Sequence, residues 1–110
     1  MTKKIRGVIE KRIQTDDEWK DAVNKCWQEE TAILTEDIQK TVSFLDNECT
    51  ADEFSWLSEI FILVAEKTKS REFIDCLYRV AQKFPEECAT YNIMSFIKEA
   101  ESHLDTDENQ

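Results

Sequence analysis

The stretch TADEFSWLSEIFILVAEKTKSREFIDCLYRVAQKF, residues 50–84, decides the fold class. It begins with Thr50-Ala-Asp-Glu53, a pattern in which a threonine and a glutamate three residues later cap the start of a helix. Apolar residues follow along one face at helical spacing, namely Phe54, Leu57, Phe61, Val64 and Ala65. Ser70 begins a second run of this kind, which carries Phe73, Ile74, Leu77, Tyr78, Ala81 and Phe84. Two successive helices are predicted, over about 51–67 and 70–84.

Further helices are predicted on both sides of this stretch. Thr15-Asp-Asp-Glu18 has the same capping pattern and predicts a helix over about 16–29, and Thr35 is the predicted cap of another that ends near residue 47. Pro85 ends the helix before it and suits the first turn of a last helix, broken near Asn92, that runs to residue 104. The acidic tail, residues 105–110, is predicted to be frayed.

Composition supports an all-α fold. The chain has one glycine and one proline in 110 residues, far fewer than the turns of a β-sandwich or barrel need. We therefore predict a single helical domain over residues 1–104, a bundle of about five or six helices. In residues 1–14 the apolar spacing is helical, but Gly7 is unfavourable inside a helix, so a short strand is the alternative for this segment. A faint similarity between Glu53-Phe54 to Lys67 and Glu72-Phe73 to Lys83 would also fit stacked helix pairs of the α-solenoid type.

The net charge of -10 is unevenly distributed. Residues 1–14 carry a net charge of +4, residues 15–59 carry -10, and residues 60–110 carry -4. A negative field repels the phosphates of nucleic acids and anionic membranes and attracts basic proteins. We expect a basic protein partner and no direct nucleic-acid or membrane partner, although acidic excess can also serve solubility alone. The sequence leaves open whether the basic N-terminus folds back onto the acidic block, residues 15–59.

The cysteines and the N-terminus predict a cytoplasmic protein. Residues 26, 49, 76 and 88 are cysteines without any C-x-x-C pair, so we expect reduced, buried thiols and no zinc site. No apolar stretch approaches the length of a membrane span, and the N-terminus lacks the features of a secretory signal.

No catalytic pattern stands out. His103 is the only histidine, and the near absence of glycine removes the usual loops for an oxyanion site or a phosphate. Asp16, Asp17, Glu18 and Asp21 lack the glycine and the spacing of a calcium loop. We therefore expect a protein that is not an enzyme and that needs no metal or cofactor.

The helix predicted over 51–67 has a second face. Trp56 and Leu63 lie nearly opposite its apolar stripe, with Asp52 and Glu59 beside them. One explanation is a central helix buried on both sides, and the other is a ridge that binds a partner. The candidate partner-binding residues are these four together with acidic residues of the preceding segment: Asp16, Asp17, Glu36, Asp37, Asp52, Trp56, Glu59 and Leu63.

Residues 52–104 resemble the small helical immunity proteins of bacterial polymorphic-toxin and contact-dependent growth-inhibition systems. The resemblance is carried by Glu59-Ile60-Phe61, Thr68-Lys69-Ser70-Arg71-Glu72-Phe73 and Lys83-Phe84-Pro85-Glu86-Glu87. It implies a cytoplasmic monomer that binds one cognate toxin domain 1:1, often a nuclease, and covers its active site. It transfers no individual functional residue. The alternative is a structural or adaptor module whose Trp56 and Leu63 face forms a homodimer or docks a cellular partner.

Overall fold

Helix caps divide this chain into short, closely spaced helices. The computed structural model describes the backbone of residues 1–108 and the side chains of residues 1–104. That part of the chain has eight α-helices and no strand: α1 Thr2–Gln14, α2 Lys20–Glu36, α3 Ile38–Asn47, α4 Ala51–Leu57, α5 Phe61–Thr68, α6 Arg71–Lys83, α7 Pro85–Tyr91 and α8 Ile93–Glu108. A 3-10 turn, Ser58–Ile60, joins α4 to α5, so these two and the turn correspond to one predicted helix. The all-α prediction is confirmed.

Several predicted boundaries are confirmed by their hydrogen bonds. Thr50 Oγ1 accepts the backbone N–H of Glu53 at 3.1 Å, and the Glu53 carboxylate accepts the backbone N–H of Thr50 at 3.0 Å. Ser70 Oγ caps α6 by accepting a backbone N–H at 3.1 Å. Pro85 is the first residue of α7, and Asn92 ends α7 in the left-handed conformation with φ of 54°. Asparagine tolerates that conformation better than most residues, which explains the break before α8.

The predicted capping box at Thr15 is wrong. Residues 2–14 form α1, and the Thr15 hydroxyl closes that helix by donating to the carbonyl of Lys11 at 2.6 Å. Asp16 then makes a turn by accepting the backbone N–H of Glu18 at 2.9 Å, and α2 begins only at Lys20. A threonine hydroxyl can donate to a carbonyl of the preceding turn or cap the turn that follows, and the Thr15 hydroxyl bonds to the preceding helix, α1.

The predicted cap at Thr35 is also wrong. Helix α2 continues past that residue to Glu36, because Leu34 extends its buried stripe. Asp37 caps α3 instead, and its Oδ1 accepts the backbone N–H groups two and three residues on, at 3.0 and 3.3 Å. Helix α8 reaches Glu108 and so enters the segment predicted to be frayed. Residues 109 and 110 of that segment lie outside the described part, so the fraying stays a prediction.

A single core unites the helices. Every one of the eight α-helices contributes buried apolar side chains to it, and four phenylalanine rings form a chain of contacts in and against it. Phe54 and Phe61 have ring centroids 5.3 Å apart, and Phe84 and Phe73 extend the chain at 6.0 and 6.3 Å. Helices distant in sequence meet across this core, α5 with α8 and α3 with α6. The arrangement is therefore a bundle around one interior.

The remaining features of the fold concern the glycine, the cysteines and helix length. Gly7 lies inside α1, so the N-terminal segment is helical and the strand alternative is excluded.

All four cysteines are buried free thiols, as predicted, and burial raises the pKa of Cys49 and of Cys76 to about 12. Among the described residues, no helix is both long and apolar enough to cross a membrane.

Candidate functional site

The basic N-terminal helix folds back onto the acidic block. Arg6 Nε lies 2.8 Å from Glu53 Oε2, and Lys11 Nζ lies 3.2 Å from Glu29 Oε2. On α6, Arg79 Nη2 pairs with Asp46 Oδ2 at 2.9 Å. These exposed pairs each contribute little stability, but they cancel part of the negative charge that the sequence assigned to the surface.

The most buried ion pair between α1 and the acidic block joins Arg12 to Glu59. Arg12 is only 5% exposed, and its Nη2 and Nε bind the two carboxylate oxygens of Glu59 at 2.7 and 3.0 Å. Arg12 also donates to Asp17 Oδ1 at 2.9 Å, and its guanidinium lies over the Trp56 ring, 5.2 Å from the centroid. The indole N–H of Trp27 donates to Glu59 at 2.9 Å. A two-point guanidinium–carboxylate contact of this kind fixes both side chains in place.

Glu30 lies close to this network but has no partner in it. Its side chain is fully buried, and neither carboxylate oxygen accepts a hydrogen bond from the described residues. Burial raises its pKa to about 8, the negative charge of Glu59 adds to the rise, and Arg12 opposes it. Glu30 is therefore mainly protonated at neutral pH, because an ionised carboxylate without a partner is costly in the interior.

A groove of about 300 Å³ runs beside Trp56, between α4 with its 3-10 turn on one side and the end of α7 and the start of α8 on the other. We call it the aromatic groove, and the residues that line it are Asp52, Ser55, Trp56, Ser58, Glu59, Tyr91 and Phe96. Tyr91 is 55% exposed and Phe96 is half-buried. Asp52 is exposed and makes no ion pair with any described side chain. The groove therefore combines three aromatic rings with an unpaired negative charge.

A second groove lies next to the first. It measures about 640 Å³, and its lining includes Arg12, Asp17, Trp27 and Glu59. Glu59 lines both grooves and Arg12 lines the second, so the two grooves meet at Glu59. This places four of the predicted residues on one continuous surface, namely Asp17, Asp52, Trp56 and Glu59.

The other predicted residues lie apart from that surface or serve the fold. Glu36 and Asp37 share a separate small groove with Lys4 and Lys40, where charges of both signs are mixed. Leu63 is 37% exposed on α5 and lines none of these three grooves. Trp56 is half-buried and packs against the core.

Sequence reasoning missed Arg12, Glu30, Trp27 and Tyr91. A signal was present for the first two, because each falls within a buried apolar stripe. Arg12 follows Ile5, Val8 and Ile9 on α1, and Glu30 stands between Cys26 and Leu34 on α2. A charged residue at such a position must find a partner or lose its charge. Tyr91 and Trp27 gave no comparable signal, because only the packing of distant helices brings them to these grooves.

Comparison with known proteins adds no relative. No protein-family model matches this chain, and no curated protein or solved structure matches it. The described residues also contain no group of three or more histidine, cysteine, aspartate or glutamate side chains placed to hold a metal ion.

Proposed function

We propose that this chain is a cytoplasmic immunity protein, which binds a cognate toxin domain and covers its active site. Its partner in this proposal is a basic nuclease domain, bound 1:1. The proposal takes its partner class from the resemblance of residues 52–104 to helical immunity proteins, and it assigns no reaction to the chain itself. A basic nuclease site is built to hold phosphates, so an acidic surface can occupy it.

The observation that carries the proposal is the division of the acidic block into paired and unpaired carboxylates. Asp17, Glu29, Asp46, Glu53 and Glu59 make ion pairs within the chain, and Glu30 is buried. Seven carboxylates of the block make no ion pair among the described side chains: Asp16, Glu18, Asp21, Glu36, Asp37, Glu48 and Asp52. A surface negative charge therefore remains after the N-terminus has folded back, and it can attract a basic partner.

Binding to the toxin encoded beside this gene is the direct test. The two proteins should co-purify, light scattering should give the mass of a 1:1 complex, and co-expression should restore growth to cells that carry the toxin. Failure of both binding and rescue would refute the proposal. A dimer of this chain in the absence of toxin would favour the structural or adaptor alternative.

Salt dependence tests the electrostatic part. Raising the salt concentration from about 50 to 500 mM should slow association markedly and change dissociation much less, because screening weakens steering between separated charges. The charge reversals to test are Asp52→Lys and Glu36→Lys, since these carboxylates are exposed and hold no other residue. Reversing Glu59 is unsuitable, because that change would leave Arg12 buried without its main partner. An association rate that ignores both salt and these reversals would remove charge steering from the proposal.

A further inference from the structure

The aromatic groove has the chemistry of a site for a cationic side chain. Trp56, Tyr91 and Phe96 supply aromatic rings, and Asp52 supplies a negative charge near them. Cations are attracted to the faces of aromatic rings, most strongly to tryptophan, and their alkyl stems gain from apolar contact. A phosphate or another anion would meet a carboxylate there and find no basic residue in the lining. The charge therefore selects a cationic occupant.

The chain already contains one example of this recognition. The guanidinium of Arg12 lies over Trp56 while the carboxylate of Glu59 binds it at two points. That contact uses a ring and a carboxylate in the same combination that the groove presents to solvent. Glu59 and one face of the Trp56 ring are already occupied, because the Glu59 oxygens accept hydrogen bonds from Arg12 and Trp27 and the Arg12 guanidinium covers that face. Asp52 is the lining carboxylate left to hold a new charge.

We propose that the aromatic groove receives an arginine side chain of the protein partner. The guanidinium stacks on the exposed rings, and Asp52 pairs with it. Arginine suits the site better than lysine, because a planar guanidinium stacks on an aromatic ring and is less strongly hydrated than an ammonium group. This inference rests on the proposed function, since it names the group by which a basic toxin domain would anchor itself.

The experiment uses the full-length chain and short peptides as probes. A blocked Gly-Arg-Gly peptide is titrated into the ¹⁵N-labelled protein, and the three tryptophan indole N–H signals are followed by NMR. The Trp56 signal should shift saturably, while those of Trp19 and Trp27 should move much less. A peptide with citrulline in place of arginine is the matched neutral control and should produce no saturable shift. A peptide with lysine should bind more weakly than the arginine peptide.

Two variants locate the charge and the ring. Asp52→Asn should weaken arginine binding up to roughly fivefold, the range expected for an exposed ion pair. Glu66→Gln removes an exposed carboxylate that does not line the groove and should leave arginine binding unchanged. Tyr91→Ser removes an exposed ring from the groove and should also weaken binding. The inference is overturned if citrulline shifts Trp56 as arginine does, if the shifts fall on other parts of the surface, or if Asp52→Asn and Tyr91→Ser bind like the parent.

The same variants separate this inference from the proposed function. If the neighbouring toxin binds the parent and both groove variants equally well, the arginine site is wrong and the immunity function stands. If the arginine peptide binds at Trp56 but the toxin does not bind the parent, the arginine site stands and the immunity function is wrong.

Discussion

Replacing Glu30 by glutamine should stabilise this fold at neutral pH. Glu30 is fully buried without a hydrogen-bond partner among the described residues, and its pKa rises from the ordinary value of 4.5 to about 8. Between these two values the folded chain keeps a proton that the unfolded chain releases. The free energy of unfolding therefore falls by about 1.4 kcal/mol per pH unit as the pH rises, which amounts to about 3 kcal/mol at pH 7.

The direction of this effect is specific to a carboxyl group whose pKa is raised. Below about pH 4.5 Glu30 is protonated in both states and adds no pH dependence, and above about pH 8 it is ionised in both states at a constant cost. Glutamine has a similar shape and does not titrate. The stability of the variant relative to that of the parent should therefore rise by about 2–3 kcal/mol between pH 5 and pH 7.

Urea unfolding of the parent and of Glu30→Gln at pH 5, 6, 7 and 8 measures this difference. Other carboxylates titrate equally in both proteins, so subtracting the two curves isolates Glu30. Glu36→Gln is the matched control, because it removes an exposed carboxyl group from the same helix and should follow the parent within about 0.5 kcal/mol. A variant that is less stable than the parent at pH 7, or a difference that does not grow with pH, would refute the reasoning.

Three further predictions concern α1, the Arg12–Glu59 pair and the thiols. Gly7→Ala should raise the free energy of unfolding by about 0.5–1 kcal/mol, because the residue is inside a helix and an added Cβ meets nothing within 4 Å; a loss measured in urea would contradict this. Glu59→Gln should lower stability by up to about 3 kcal/mol through the buried Arg12, whereas Glu36→Gln should be nearly neutral in the same assay. Strong reductant should leave the melting temperature unchanged, since no cysteine is in a disulfide, and a drop of several degrees would show a missed cross-link.

The predictable part of the fold is local. The caps at Thr50 and Ser70, the role of Pro85 and the break at Asn92 follow from residues that act within one turn of helix, and each was predicted from the sequence. The predicted caps at Thr15 and Thr35 were wrong because the preceding helices were mispredicted. Helix α1, which ends next to Thr15, was uncertain from the sequence, and α2, which contains Thr35, was predicted to end at residue 29. Capping patterns alone do not say which of two adjoining helices a threonine serves.

The candidate surface was less predictable because it depends on pairing between distant helices. Asp52 and Trp56 lie on α4 and Glu59 lies in the 3-10 turn that follows it, and their common location follows from their spacing within one predicted helix. Spacing does not predict which of the two carboxylates is paired, because Arg12 reaches Glu59 from α1, whereas Asp52 has no ion pair among the described side chains. Tyr91 joins the groove only because α4 packs against α7 in the bundle. Composition measured the total acidity correctly but could not separate the carboxylates that hold the fold from those that face solvent.

That separation bears on how such a chain can change over generations. Carboxylates such as Glu53 and Glu59 are tied to the helices they hold, so a substitution there disturbs the fold before it alters any contact with a partner. Asp52 and Glu36 carry no such duty, and their replacement leaves the core and the ion pairs intact. Recognition can therefore diverge at the unpaired positions while the architecture persists, and two descendants of this protein could share one bundle and bind different targets.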